Sequence, residues 1–337
     1  LTASIEDVAR LAGVSIATVS RSLRGLPDVA ASTRDRVLAA ARELDYVASP
    51  FAARLASGRT ATVGVVVPFV NRWYFSEVLG AIEAVLHDAA FDLLLYNLSD
   101  TAGRDRFFTE MPVRKRVDAL IVASLVLTDA ETEVLHALGV PVGVLGVDHP
   151  AFHSTRIDDA GAASAAVQHL LDLGHRRIGL IGGDMADPMR FTPPHHRRRG
   201  YIATLNAAGI EYSRDLEALG YFTVAGGQAA TAELLSRPNP PTALFAESDE
   251  MAYGAIRAIR RAGLRVPQDI AVAGFDDHVI AELFDLTTVR QPIVDQAADL
   301  TARLLSVMPV PDAPREVHVL PTELIVRGST DPSRSVL

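Results

Sequence analysis

Ile5-Glu-Asp-Val-Ala-Arg-Leu-Ala-Gly-Val-Ser-Ile-Ala-Thr-Val-Ser-Arg-Ser-Leu23 reads as two short helices joined by a turn. The apolar positions Ile5, Val8, Ala9, Leu11 and Ala12 fall at helical spacing, and Gly13 supplies the permissive backbone that a tight interhelical turn needs. Ser15 can cap the second helix by accepting an N–H bond from two or three residues further on. In that helix Val19 and Leu23, four apart, face inward. Ile16, Ala17, Ser20 and Arg21 are left on the outer face, where they can touch base edges in a major groove. This is the pattern of a helix-turn-helix DNA reader, although the spacing alone also fits a small amphipathic hairpin packed on a larger body.

After the hairpin, Leu26-Pro27-Asp28 makes a loop, and Ser32 opens a third helix through about Leu44, with Val37, Leu38, Ala41 and Leu44 facing inward. Three helices within residues 1–48 make a headpiece. Ser49-Pro50 stops it, and Phe51 to Ala56 has the length of one or two helical turns before Gly58. Residues 49–60 therefore read as a hinge that is too short to be stable alone and orders only against a partner or DNA.

From Thr62 the texture changes to alternating strand and helix. Apolar runs at Val63–Val67, Phe91–Tyr96, Ala119–Val122 and Val142–Leu145 are separated by helical patterns at about Phe75–Ala89, Phe107–Met111 and Ala130–Leu138. A second series has runs at Ile178–Ile181, Tyr221–Val224, Ala243–Ala246 and Ile270–Ala273. Its helices fall at about Ala160–Leu173, Arg197–Ala208, Gly226–Leu235 and Glu250–Ala262. Buried runs alternating with helices predict parallel sheets covered on both faces. Two such series in tandem predict an α/β body over 61–337 with two doubly wound subdomains, and a small-molecule site in the cleft at the carboxyl ends of their strands. The tail adds a strand at Thr322–Val326 and shows no leucine heptads for a coiled coil.

A chain of 337 residues, 49% hydrophobic and 22% charged, has enough apolar surface for two or three cores and is neither disordered nor fibrous. No run of about 18 uncharged apolar residues occurs, which predicts a protein that is soluble, free of membranes and cytoplasmic. The absence of cysteine removes disulfides, thiolate metal sites and cysteine nucleophiles together. The net charge of −9 opposes indiscriminate coating of nucleic acid, but it is unevenly spread. Residues 1–60 hold eight arginines against six acids, while the remainder carries 24 basic and 35 acidic side chains. A cationic head on an acidic body can approach phosphates while the body is repelled. The excess in the head is small, so one module binds weakly and two are expected to act together.

Ile5–Leu23, Ser32-Thr-Arg-Asp-Arg-Val, Leu44-Asp-Tyr46 and Leu55-Ala-Ser-Gly-Arg-Thr60 ahead of Val63-Gly-Val-Val-Val-Pro68 together resemble the lactose/galactose repressor family of bacterial regulators. Later pieces recur in order: Leu173-Gly-His-Arg-Arg-Ile-Gly179, Gly200-Tyr201, Ser248-Asp-Glu-Met-Ala252, Ala273-Gly-Phe-Asp-Asp277, Thr288-Val-Arg-Gln-Pro292 and Leu324-Ile-Val-Arg-Gly-Ser329. The resemblance implies a periplasmic-binding-protein-like body. Its first subdomain would take about 61–157 plus 288–320, and its second about 158–287 plus 321–330. It also implies a homodimer whose headpieces read two half-sites of a pseudo-palindromic double-stranded operator, with affinity set by a small, sugar-like effector.

Residue by residue, the resemblance puts Ile16, Ala17 and Arg21 at base-reading positions. Arg21 suits a bidentate contact to guanine, and Ile16 and Ala17 suit a thymine methyl. Ser4, Ser15, Thr18, Ser20, Ser32 and Thr33 are expected to anchor phosphates. Leu55 matches a leucine wedged into the minor groove at the operator centre, the alternative being a linker anchor on the body. In the cleft, Tyr74 and Phe75 match ring-stacking positions, and Arg197, Asp249 and Asp276 match ligand-contacting ones. Asp276 can equally cap a helix from residue 278 onward. Three departures stand out: Ser248 where asparagine is common, Gly146 where an aspartate is frequent, and Trp73 in place of a usual proline. They put a familiar sugar in doubt and leave the effector open between a different carbohydrate, a nucleoside-like compound and another small molecule.

An enzyme is not expected. No Gly-x-Ser-x-Gly elbow, phosphate loop or His-Glu-x-x-His names a reaction, and no cofactor is implied. His195-His196 lies beside Arg197-Arg198-Arg199 and reads as a loop or helix start rather than a metal site, since adjacent helical residues point about 100° apart. A secreted sugar-binding protein would share the body but carry a signal peptide and no headpiece, and an effector-independent regulator would keep the headpiece alone in use.

Overall fold

The computed structural model describes residues 3–23, 27–46, 59–191, 193–308, 310, 314–331 and 333. The hinge segment through residue 58, with Leu55, and Leu26 of the first loop lie outside the described residues. The chain divides into two compact units, one running to Thr62 with Lys115–Asp118, the other formed by the rest.

The first unit carries three helices, α1 (Ile5–Ala12), α2 (Ile16–Leu23) and α3 (Ala31–Glu43). Ser4 starts α1 with a reciprocal capping box. Its Oγ accepts the Asp7 N–H at 3.3 Å, and its own N–H donates to the Asp7 carboxylate at 3.0 Å. Gly13, at φ +63°, ends the helix in the left-handed conformation that favours glycine. Ser15 caps α2 as its spacing predicts, accepting the Thr18 N–H at 3.1 Å. Val8, Ala9, Ala12, Val19, Val37, Ala40 and Ala41 form the core, with Ile5, Leu23 and Leu44 packed at its edge. Two expected core residues are outside it: Leu11 is 47% and Leu38 37% exposed. Helices this short present only a narrow inward stripe, which Ala12 and Ala40 fill at closer approach. Ser32 does not cap α3 either; Ala30 stands at the cap, and no side chain accepts there.

The second unit contains two six-stranded sheets. The first joins β1 (Thr62–Val67), β2 (Asp92–Asn97), β3 (Ala119–Ala123), β4 (Val142–Leu145), β5 (His153–Ile157) and β11 (Val317–Leu320), in the order β11-β5-β4-β3-β1-β2. The second joins β6 (Ile178–Gly182), β7 (Glu217–Leu219), β8 (Ala243–Ala246), β9 (Ala271–Asp276), β10 (Thr287–Arg290) and β12 (Glu323–Ile325), in the order β12-β10-β9-β8-β6-β7. Strands such as β1, β3 and β8 are buried almost throughout, because helices cover both faces. Helices α4 (Trp73–Asp88) and α11 (Ile293–Val307) pack on the first sheet. Helices α7 (Asp159–Asp172) and α8 (Pro193–Ala207) cover one face of the second, with α9 (Val224–Leu235) and α10 (Asp249–Arg261) on the other. Two shorter helices, α5 (Thr101–Glu110) and α6 (Asp129–His136), complete the first half.

Three sequence expectations are corrected, and several elements are added. The run Tyr221–Val224 is not a strand. Tyr221 and Phe222 both have φ +53°, Thr223 caps α9, and the strand lies just before, at Glu217–Leu219. The second sheet is not wholly parallel, because β12 pairs antiparallel with β10. The strands β5, β10 and β11 and the helix α11 lie outside the runs and helical patterns read from the sequence. Finally, β10 belongs to the second sheet, so the chain returns to the first subdomain after Arg290 rather than at about 288. The chain thus passes between the sheets three times, after Ile157, Arg290 and Leu320.

Candidate functional site

In the first unit the outer face of α2 is as the sequence predicts: Ile16, Ala17 and Arg21 are exposed, and Ser20 is half-buried. Arg21 lies 3.7 Å from the Asp28 carboxylate, with both side chains about half exposed, a pairing weak enough to yield to another acceptor. Ser4 and Ser15 are occupied as helix caps, and the Ser15 and Thr18 hydroxyls are 2.9 Å apart. Ser32 and Thr33 stand in the first turn of α3, where no side chain caps and the helix dipole favours an anion, although the Thr33 N–H itself donates to the Ala30 carbonyl at 3.0 Å.

In the second unit a small cavity, of about 50 Å³, opens where the strands of both sheets end. Each sheet contributes residues from just beyond the carboxyl ends of its strands. Trp73, Tyr74 and Phe75 follow β1, Ser124 follows β3, Gly146 follows β4, Ser248 follows β8 and Gln291 follows β10. This is where a parallel α/β sheet exposes backbone and polar groups to a ligand. Aromatic rings from both halves, including Phe191 and Phe222, form the walls.

Arg197 is the electrostatic centre. It is 5% exposed, donates from Nε to Asp159 Oδ1 at 2.8 Å and from Nη1 to the Glu247 carbonyl, and lies 3.8 Å from Asp276. Its guanidinium also lies 3.6 Å from the centroid of the Phe275 ring. Burial alone would lower its pKa, but Asp159 and Asp276 more than compensate and hold it above the ordinary arginine value. Two prolines, Pro193 and Pro194, open the helix that carries Arg197 and pre-set its backbone.

Asp276 has φ +122°, which is strained for a residue with a side chain, and accepts from Gln291 Nε2 at 2.5 Å. Burial raises its pKa despite Arg197 and Gln291. It caps nothing: the next helical turn, Glu282–Phe284, begins six residues later. Asp249 does not line the cavity. It is 0% exposed, and its oxygens accept from Thr288 Oγ1 at 2.6 Å and from the His278 N–H at 2.7 Å, so it pins the segment that follows β9. Ser248 lines the cavity but caps α10 with its hydroxyl.

The departures acquire physical reasons. At Gly146, φ is +78°, and an added Cβ would sit 3.0 Å from Ser124 Oγ and 3.4 Å from the Tyr74 hydroxyl. Those two hydroxyls fill the space a side chain would take. Burial pushes the Tyr74 phenol up to about 12, so it stays protonated. Trp73 lies against His278, ring centroids 4.3 Å apart.

Sequence reasoning missed Asp159, Gln291, Gln296, Arg72 and Glu250, all on the cavity wall. It also missed Glu247, whose buried carboxyl accepts the Gly183 N–H at 2.8 Å and is pushed up to about 8 by burial. Of these, Gln291 and Glu250 carried a signal, each as part of a quoted family motif. Among the described residues no group of three or more histidines and acids could hold a metal, and no helix is long and apolar enough to cross a membrane.

A helical reading unit together with a two-sheet body enclosing a polar, aromatic-walled cavity defines a ligand-responsive DNA-binding regulator. Residues 4–49 match the family model for bacterial regulatory proteins of the lacI family, and 167–330 that for a periplasmic binding protein-like domain. The HTH-type transcriptional repressor CytR of Escherichia coli is 34% identical over 97% of this chain and 96% of its own length. The HTH-type transcriptional regulator CelR of Thermobifida fusca is 36% identical over 97% and 98%. Among solved structures, a lac repressor dimer bound to operator and the anti-inducer ONPF superposes with TM-score 0.87 at 28% identity, covering 98% of this chain and 99% of that one. A CelR-cellobiose complex gives TM-score 0.73 at 32% identity, covering 97% and 99%. The chain belongs to the lacI family of bacterial regulatory proteins.

Proposed function

We propose that this regulator acts as a homodimeric repressor that binds a pseudo-palindromic operator and changes its grip when an uncharged, hydroxyl-rich small molecule, a carbohydrate or nucleoside, occupies the cavity of the body. The observation that carries the reading is the buried set Arg197, Asp159, Asp276 and Gln291 between aromatic walls. A polyol needs donors and acceptors together beside apolar faces, and this set supplies both. The relatives support it in kind, one being solved with cellobiose and another as an operator-bound dimer.

In the headpiece, Arg21 reads guanine while Ile16 and Ala17 meet apolar base edges. Ser32, Thr33 and the first turn of α3 take phosphates, as do Thr18 and Ser20 of α2. Leu55 is assigned to the operator centre on resemblance alone. Whether the effector releases the operator or strengthens its binding depends on the difference in effector affinity between two body conformations.

The test is a pair of proteins, the whole chain and a chain lacking residues 1–60. An operator selected from random DNA is expected to bind the whole chain specifically and the truncated chain not at all. Both should show the same thermal shift with an effector. Operator binding by the truncated chain would overturn the assignment.

A further inference from the structure

Gln296 breaks a pattern. The inward stripe of α11 runs Ile293, Gln296, Ala297, Leu300 and Leu304, all buried and all apolar except this one. The other buried polar residue of the helix, Thr301, is satisfied internally, donating to the Ala297 carbonyl at 2.7 Å. Gln296 is 1% exposed, and among the described residues neither its amide nitrogen nor its carbonyl oxygen has a protein hydrogen-bond partner. Buried polar atoms without partners are rare because each forfeits its hydration with no return. This one lies on the wall of the cavity, which Gln291 also lines with its amide already committed to Asp276.

We infer that the Gln296 carboxamide selects the effector by pairing with an adjacent acceptor and donor on the bound molecule. The inference rests on the effector reading proposed above and adds which group makes the choice. A carboxamide offers an N–H donor beside a carbonyl acceptor. Its complement is a vicinal pair of hydroxyls or the amide-like edge of a nucleobase. A carboxylate or phosphate, with acceptors only, leaves the carbonyl oxygen unpaired, and an ammonium leaves the N–H groups unpaired. An apolar ligand leaves both. Sites built around a hydrogen-bonding requirement reject ligands lacking it far more strongly than apolar pockets reject a poor fit. The effector therefore presents a neutral hydrogen-bonding face to α11, and its binding satisfies an amide that no described protein group pairs.

The experiment compares the full-length chain with Gln296→Met, which keeps an unbranched side chain of similar length, and Gln296→Glu, which keeps acceptors but loses the N–H donors. Without any ligand, Gln296→Met is expected to melt about 2 °C higher than the parent, because an unpaired amide has been replaced by a thioether. A lower melting temperature would show that the amide is paired in the empty protein and would overturn the inference. Calorimetric titration then uses cellobiose and ribose as the hydroxyl-pair arm, and uridine and adenosine as the nucleobase arm. The compound that binds the parent is expected to bind Gln296→Met at least tenfold more weakly, and to lose as much with Gln296→Glu if it comes from the nucleobase arm, whereas a hydroxyl pair, able to donate to both oxygens of a carboxylate, keeps its affinity for Gln296→Glu. Binding to Gln296→Met within twofold of the parent overturns selection by Gln296 and leaves the proposed effector class standing. No binding of the parent to any of the four overturns that class, and the selection with it.

Discussion

The two units solve recognition in opposite ways. In the headpiece the candidate reading residues Ile16, Ala17 and Arg21 are exposed on a helix of eight residues, over a small core that is mostly alanine and valine. In the body the candidate ligand groups are buried, and Arg197, Asp159, Asp276 and Gln291 hold one another before any ligand arrives. DNA brings its own solvated charges and is read by groups that stay wet until contact. A small neutral molecule must be enclosed, so its site is organised in advance and tied to stability. Substitutions in the body site are therefore expected to disturb folding and function together, and substitutions on the α2 face function alone.

Arg197→Ala tests the contrast most severely. It leaves Asp159 and Asp276 buried without their cation and the Glu247 carbonyl without its donor, a loss of about 3–5 kcal/mol. Trp73, the sole tryptophan, stands on the cavity wall, so urea unfolding followed by its fluorescence reports directly on this unit. A loss below about 1 kcal/mol would mean the cluster is not organised in advance, and the contrast between the units would fail.

The pH dependence of stability is the next largest effect. Burial raises Glu247 to about 8 from the ordinary 4.5. The folded chain then keeps a proton that the unfolded chain releases above about pH 4.5. The resulting stabilisation is complete below that pH, shrinks as pH rises toward 8 and is gone above it; the upward shift of Asp276 acts in the same direction. Glu247→Gln keeps an acceptor for the Gly183 N–H and removes the titration. Between pH 5 and 8 the parent should lose roughly 2–4 kcal/mol relative to this variant in urea unfolding. Parallel curves for the two proteins would show that Glu247 is ionised throughout.

How far these features could be read from sequence differs in the same way as the units do. The hairpin was legible because turn, cap and stripe are local: Gly13, Ser15 and Val19 each act on neighbours within a few residues. The apolar strands were legible for the same reason. Strand β10, Thr-Thr-Val-Arg, was not, because its burial depends on distant partners: Thr287 donates to the Arg327 carbonyl, 40 residues away, and Thr288 to Asp249. The two aspartates read as equivalent ligand contacts divide for the same reason, Asp249 being consumed by Thr288 and the His278 N–H while Asp276 faces Arg197. Nothing local distinguishes Asp159 from Asp158, yet one pairs with Arg197 and the other caps a helix. Gln296 has no motif at all, and only the fold reveals that its amide is stranded.

Arg21→Ala sharpens the headpiece side. Its guanidinium is half exposed and only loosely paired with Asp28, so melting behaviour should not change. Affinity should fall by about 1–3 kcal/mol on the selected operator, with discrimination relaxed at one position of each half-site. Equal weakening on every sequence in a salt-controlled binding titration would make Arg21 a phosphate contact instead.

The smallest expected effect separates a cap from a contact. Helix α2 is too short to persist by itself, and the Ser15 hydroxyl accepting the Thr18 N–H is what closes its first turn. Ser15→Ala should cost about 1 kcal/mol of headpiece stability and weaken DNA binding evenly across sequences. Ser15→Asp retains a good cap and adds a negative charge. If Ser15 serves only as a cap, Ser15→Asp should restore the stability lost in Ser15→Ala, with DNA affinity close to the parent's. If the hydroxyl also touches a phosphate, stability returns but affinity falls further, more steeply at low salt than at high, because the new carboxylate repels what the serine held.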